Sequence, residues 1–205
     1  MDDAGGRAPA LTDRFLAAVR LAEEVHGRER RAGTEIPYLA HLLVVTGLAL
    51  EDGGDEDQAI AAMLHDSVEE GGGRPLLERI RRDFGERVAE IVEHLSDSIE
   101  LDPSESWISR KRRYLEDLQN SRDEAVLRVA LADKVNNTRA IVREYRDEGD
   151  AMWGRFDDKT ADQQLWYYGR LAEVFEAKRP GPLTEDLRRA VDELTALVAA
   201  GEPSG

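Results

Sequence analysis

Apolar side chains recur along this 205-residue chain at three- and four-residue intervals, the spacing of helices with one buried face. Thr12 stands where a helix cap is wanted, ahead of Phe15, Leu16, Val19, Ala22 and Val25. Gly27 and the segment to Glu35 interrupt the pattern, and Pro37 reopens it for Leu39, Leu42, Leu43, Thr46 and Leu50. After an acidic, glycine-bearing loop, a third helix is predicted from about Asp57 to Glu70, carried by Ile60, Met63 and Leu64 and stopped by Gly71-Gly72-Gly73. Further helices are predicted at 76–84, 88–95, 107–118, 124–145, 165–177 and 183–198, with polar connections at 97–106 and 147–159. No Val/Ile/Thr-rich alternating run suggests a strand. The expectation is an all-α protein of about eight to ten helices. One helical domain would cover 11–178, a covering helix 183–199, and loose ends 1–10 and 201–205.

Charge narrows the partners. The chain has 28 Lys and Arg against 43 Asp and Glu, a formal net charge of −15. A nucleic-acid binder needs a basic footprint, and an anionic membrane surface would repel this chain. There are no cysteines, which excludes disulfides, thiolate nucleophiles, zinc ribbons and iron–sulfur clusters. Any metal must take nitrogen and oxygen ligands. No apolar stretch approaches the roughly 18 residues of a spanning helix, and the acidic N-terminus is unlike a signal peptide. A cytoplasmic protein is expected.

Three places carry chemistry. His65-Asp66 stands at the polar end of an apolar helix, and His41 and Asp133 interrupt two other apolar helical segments. A polar residue in such a place needs a partner. Together they offer two imidazoles and two carboxylates, a set suited to Mn²⁺, Fe²⁺ or a similar ion rather than to Ca²⁺ or Mg²⁺. Each alone is a common core or capping residue; the combination is more specific. Glu69 and Glu70 lie one helical turn beyond His65 and Asp66, where acids oppose the helix dipole unless a cation offsets them. Such a cluster is expected to raise at least one carboxylate pKa, and suits general acid–base work in hydrolysis. Cations gather in two runs, Arg28, Arg30 and Arg31, and Arg110-Lys-Arg-Arg113. In the second, Arg112 and Arg113 can pair with Glu116 and Asp117 one turn on, leaving Arg110 and Lys111 freer for a polyanion. Trp166, Tyr167, Tyr168 and Phe175 read as core, and His94 as a surface residue.

Four segments in order resemble a known family: His26-Gly-Arg-Glu-Arg-Arg-Ala-Gly-Thr-Glu-Ile-Pro-Tyr-Leu-Ala-His41, Leu64-His-Asp-Ser-Val-Glu-Glu70, Asp83-Phe-Gly-Glu-Arg-Val88 and Leu131-Ala-Asp-Lys-Val-Asn-Asn-Thr-Arg139. They are similar to the HD-domain hydrolases of the RelA/SpoT type, and to their small stand-alone alarmone hydrolases in particular, over about residues 12–146. The resemblance implies an all-helical bundle that holds one Mn²⁺ through His41, His65, Asp66 and Asp133. It implies hydrolysis of the 3′-pyrophosphate of (p)ppGpp, with Glu69 and Glu70 acting on the attacking water. It also implies that Arg30 and Arg31 contact the nucleotide, Asn137 the ribose, and Arg110 or Lys111 the phosphates. His26 recurs in the opening motif as a brace rather than a ligand. Two positions depart: Glu70 stands where Asp is usual, and Asn136 where His is usual. The alternatives are a phosphatase acting on another nucleotide such as NADPH, and a degenerate nucleotide-binding protein. If the reading holds, the basic residues should form a rim around His41, His65 and Asp133.

Overall fold

The computed structural model describes residues 10–96, 105–155 and 160–201, with only the backbone of Glu70, Gly71 and Arg155. The described residues form ten α-helices and one short 3₁₀ turn, and no strand. The helices are α1 (Asp13–His26), α2 (Tyr38–Glu51), α3 (Glu56–Leu64), α4 (Ser67–Gly71) and α5 (Gly73–Phe84). They continue as α6 (Glu86–Leu95), α7 (Trp107–Asn120), α8 (Glu124–Glu148), α9 (Ala161–Lys178) and α10 (Pro182–Gly201).

Two helices organise the rest. In α3 every residue from Gln58 to Leu64 is buried; its alanines and Ile60, Met63 and Leu64 let α1, α2, α6 and α8 close around it. α8, about 37 Å long at 1.5 Å per residue, is buried along most of its length and packs against α2, α3, α6, α9 and α10. Gly54 makes the tight turn from α2 into α3: a Cβ there would lie 2.6 Å from the Ala49 carbonyl oxygen. A partly buried polar link fixes that turn against α8 and the entry to α10. Arg128 Nε donates to the Asp52 carbonyl at 3.1 Å, its Nη1 bonds Gln58, and Arg179 Nη2 lies 2.6 Å from Asp52 Oδ2.

The start of α8 is fixed by Asp123. Its Oδ1 accepts from the backbone N–H groups of Ala125 and Val126, while Arg87 of α6 grips both carboxylate oxygens at 2.6 and 2.7 Å. The Arg87 bonds hold this carboxyl below its ordinary range, burial opposing and the capping bonds assisting. A group depressed in the folded state stabilises fully above its unfolded pKa and loses that contribution as pH falls through the folded value. Asp123→Ala is therefore expected to cost about 1–2 kcal/mol at neutral pH. The gap from wild type should narrow towards about pH 3, measured by urea unfolding at both pH values.

The structure moves some predicted boundaries. The helix expected from 57 to 70 divides into α3 and α4 around His65 and Asp66. Both residues keep right-handed helical dihedrals, but the His65 ring bonds the Ala62 carbonyl, the acceptor Asp66 N–H would use in a continuous helix. α5 begins at Gly73, three residues early, because Pro75 is tolerated in a first turn. α9 begins at Ala161 rather than 165, fixed by a reciprocal capping box between Thr160 and Gln163. The connection after α8 folds as the 3₁₀ turn Gly149–Arg155, with Met152 fully buried. α10 packs against α8 and α9. Most of the predicted 97–106 loop, and the expected loose ends save Ala10 and Gly201, lie outside the described residues. Among the described residues no helix is long and apolar enough to cross a membrane.

Candidate metal centre and adjoining cavities

Three elements deliver four polar side chains to one point. His41 comes from the first turn of α2, His65 and Asp66 from the break between α3 and α4, and Asp133 from the middle of α8. His41, His65 and Asp133 are buried, and each offers a ligand atom within 4.8 Å of the others. Asp66 Oδ2 lies 3.3 Å from His41 Nε2 and 3.1 Å from His65 Nε2. Asp133 Oδ1 lies 3.4 Å from the first nitrogen and 3.6 Å from the second. Ligands bonded at about 2.1 Å to one cation, at angles of about 90–110°, stand about 3.0–3.4 Å apart.

The strongest sign of a missing partner is His65. Its Nδ1 faces the Ala62 carbonyl at 2.8 Å, one of the acceptors left free at a helix end. A carbonyl only accepts, so the proton sits on Nδ1 and the neutral ring turns the lone pair of Nε2 into the cluster. That nitrogen is buried without a hydrogen-bond partner, although Asp66 lies close to it. A buried unsatisfied acceptor beside two carboxylates and a second imidazole suits a divalent cation. Burial works against charge on His65, but the negative charges of Asp66 and Asp133 outweigh it and hold its pKa well above the usual value. Burial likewise opposes ionisation of Asp66, yet the neighbouring histidines hold it well below its ordinary range. Asp133 is lowered too, by Lys134 and both imidazoles against the cost of burial. Asp66 is therefore not the carboxylate that the acidic cluster raises.

Behind these residues stand others that fix them. Tyr38 donates its hydroxyl to Asp66 Oδ2 at 2.6 Å and stacks on His26, ring centroids 5.0 Å apart. His26 is fully buried, with Nδ1 2.7 Å from Glu29 and Nε2 3.2 Å from Ser67 Oγ. It joins the end of α1 to the residue after Asp66, the bracing role expected of it. Lys134 Nζ lies 2.6 Å from Asp133 Oδ2 and 4.8 Å from the centre of the Tyr114 ring. The sequence reading missed Tyr38 and Lys134. Their adjacency to Pro37 and Asp133 was the available signal, but only the fold shows what they touch.

Two cavities meet at Asn137. One, of about 290 Å³, is lined by Arg31, Tyr38, Asn137, Ile141 and Tyr168 among others. The second, of about 210 Å³, includes Lys111, Lys134, Asn137, Trp107 and Tyr167. Asn137 Nδ2 donates to Asp133 Oδ1 at 2.6 Å, and its Oδ1 accepts from Arg31 Nη2 at 2.9 Å. Burial pushes the Tyr168 hydroxyl up to about 12, so it remains a neutral donor there.

The basic rim is narrower than expected. Arg31 and Lys111 line the cavities. Arg30 is exposed and donates to the Glu29 carbonyl, Arg110 donates to the Glu105 carbonyl, and neither lines them. An isolated β-bridge between Arg30 and Pro37 explains the first separation, since neighbouring side chains in extended backbone face opposite ways. The expected turn-spaced pairs of α7 give way to longer contacts: Arg112 lies over the Trp166 ring and Arg113 bonds Glu105. Tyr167, Tyr168 and Phe175 are buried as core, and the two tyrosines also wall the cavities. His94 is exposed. Glu69 is an exposed residue of α4; the side chain of Glu70 lies outside the described residues.

Comparison with known proteins gives this geometry a lineage. Residues 18–158 match the HD domain family. A relative from Xenopus tropicalis, guanosine-3′,5′-bis(diphosphate) 3′-pyrophosphohydrolase MESH1, is 37% identical over 132 residues, 63% of this chain and 70% of the relative. A guanosine-3′,5′-bis(diphosphate) 3′-pyrophosphohydrolase from Aquifex aeolicus is 30% identical over 133 residues, 65% of this chain but only 18% of that longer protein. The solved structure of a metazoan SpoT ortholog superposes with a TM-score of 0.68 at 22% identity, covering 92% of this chain and 97% of that one. The chain belongs to the HD domain family, on the branch of the RelA/SpoT-type hydrolases.

Proposed function

We propose that this protein hydrolyses the 3′-pyrophosphate of (p)ppGpp, releasing GDP or GTP and pyrophosphate, with one divalent cation, Mn²⁺, held by His41, His65, Asp66 and Asp133. The observation that carries the reading is the buried, unpartnered Nε2 of His65 among a second imidazole and two carboxylates. The relatives that share this chain's HD segment and are named as 3′-pyrophosphohydrolases support it. When bound, the cation supplies Lewis-acid stabilisation of phosphoryl charge and makes water more acidic.

The protein's own groups do the rest. Arg31, steadied by Asn137, holds the nucleotide in the larger cavity. Asn137 fixes the ribose so that the reacting phosphorus is presented in one orientation. Lys111 and Lys134 face the phosphates from the second cavity. Water adds to the phosphorus on O3′, the P–O3′ bond breaks, and Glu69 and Glu70 orient that water and carry its proton towards the departing oxygen.

Arg31→Ala is expected to raise KM about 10–100-fold, the loss of one charge-assisted contact, with a smaller change in kcat; steady-state kinetics on ppGpp checks it. The reading itself is tested by stripping the protein with a chelator and restoring single metals. Activity on ppGpp should return with Mn²⁺, and failure to return with any divalent ion would contradict it.

A further inference from the structure

His41 and His65 face the same cluster, but what holds the back of each ring differs in kind. Behind His65 is a carbonyl, which can only accept. Behind His41, almost wholly buried, is the side-chain amide of Asn136, with Nδ2 2.6 Å from His41 Nδ1. Asn136 lies three residues after Asp133 on α8, so one helix supplies a carboxylate to the cluster and a support for an imidazole of α2. It is also one of the two positions where the sequence departs from the motif it resembles.

An amide can face the ring in two ways of nearly identical shape. With its NH₂ towards Nδ1, that nitrogen must accept, and the single proton of a neutral imidazole sits on Nε2, towards Asp66 and Asp133. With its carbonyl towards Nδ1, Nδ1–H donates, and Nε2 presents a lone pair to a cation. A half-turn of the Asn136 amide exchanges the two.

We propose that Asn136 is a positioning residue that selects the metal-binding tautomer of His41: NH₂ towards the ring without a cation, carbonyl towards it when a cation is bound. The proposal rests on the metal-centre reading above. His65 is locked in the metal-binding tautomer, whereas His41 is adjustable, and the amide supplies the adjustment without adding charge. Removing a hydrogen-bond partner behind a ligating histidine commonly costs 10–100-fold in metal affinity.

The test measures Mn²⁺ affinity, without substrate, for wild type, Asn136→Leu and Asn136→Asp, together with the thermal midpoint of each metal-free protein. Asn136→Leu should bind about 10–100-fold more weakly at an unchanged midpoint. Asn136→Asp, an acceptor that fixes the proton on Nδ1, should bind no more weakly than wild type. ¹⁵N spectra of wild-type His41 should change from the Nε2–H form in metal-free protein to the Nδ1–H form when Zn²⁺ is bound. Should Asn136→Leu not fold, the aspartate variant and these spectra decide. Wild-type affinity in Asn136→Leu, weakened binding in Asn136→Asp, or an unchanged tautomer would overturn the proposal while leaving the metal centre standing. A wild-type protein that binds no divalent cation would overturn both.

Discussion

Asp66→Ala is expected to lose the bound cation and at least about 10³-fold in kcat/KM, because metal catalysis contributes several kcal/mol to transition-state stabilisation. Asp66 Oδ2 approaches both imidazole nitrogens and also accepts the Tyr38 hydroxyl. Removing it leaves two histidines with one carboxylate between them, and takes away the oxygen to which the Tyr38 hydroxyl donates. The Asp66 charge is also a principal cause, against burial, of the raised pKa of His65. The variant should therefore differ most from wild type in metal binding. The fold should survive, since the core helices α3 and α8 close over apolar side chains. Metal analysis of the purified variant, with its steady-state kinetics, checks both halves. Full metal content beside lost activity would move Asp66 from ligand to another role.

Glu70→Gln is expected to leave metal binding intact and to lower kcat by about 10²–10⁴-fold, the range of a lost general acid or base. The glutamine keeps the size and the capacity to orient water but cannot take a proton near neutral pH. The argument for Glu70 comes from the sequence, four residues beyond Asp66 and in the place of the motif's second carboxylate. The backbone is consistent with it. α4 opens directly after Asp66, and its first residue, Ser67, is buried against His26, so the acids of α4 are carried on a braced turn. Glu69→Gln distinguishes the two acids: the one whose loss removes the acidic limb of the pH–rate profile carries the proton. A fully active Glu70→Gln would remove Glu70 from the reaction.

Much of this fold was legible because helices announce themselves in period and caps. Thr12, Pro37 and Gly85 mark ends that the structure places within a residue or two. The Thr160–Gln163 capping box was also written in the sequence, but the apolar period starts later and masked it. The break at His65 and Asp66 was not legible. Their backbone remains helical, and the interruption is caused by a side chain competing for a main-chain acceptor. The ligand set was readable as types, since an imidazole or carboxylate within an apolar helix requires a partner. Which of the clustered cations reach the cavities was not. Arg30 and Arg31 are neighbours in sequence, and only the bridge from Arg30 to Pro37 separates their directions. The net charge of −15 gives no hint of Lys134, whose ammonium lies 2.6 Å from Asp133 Oδ2 inside the protein.

The central claim is a reaction at one bond, so the product is the measurement that tests it most directly. Mn²⁺-loaded protein is incubated in parallel with ppGpp and with NADPH, and the products are followed by ³¹P NMR. GDP and pyrophosphate should appear in equal amounts from ppGpp, with no orthophosphate, and the reaction should be absent in Asp66→Ala. Orthophosphate released from NADPH with ppGpp left intact would contradict the account.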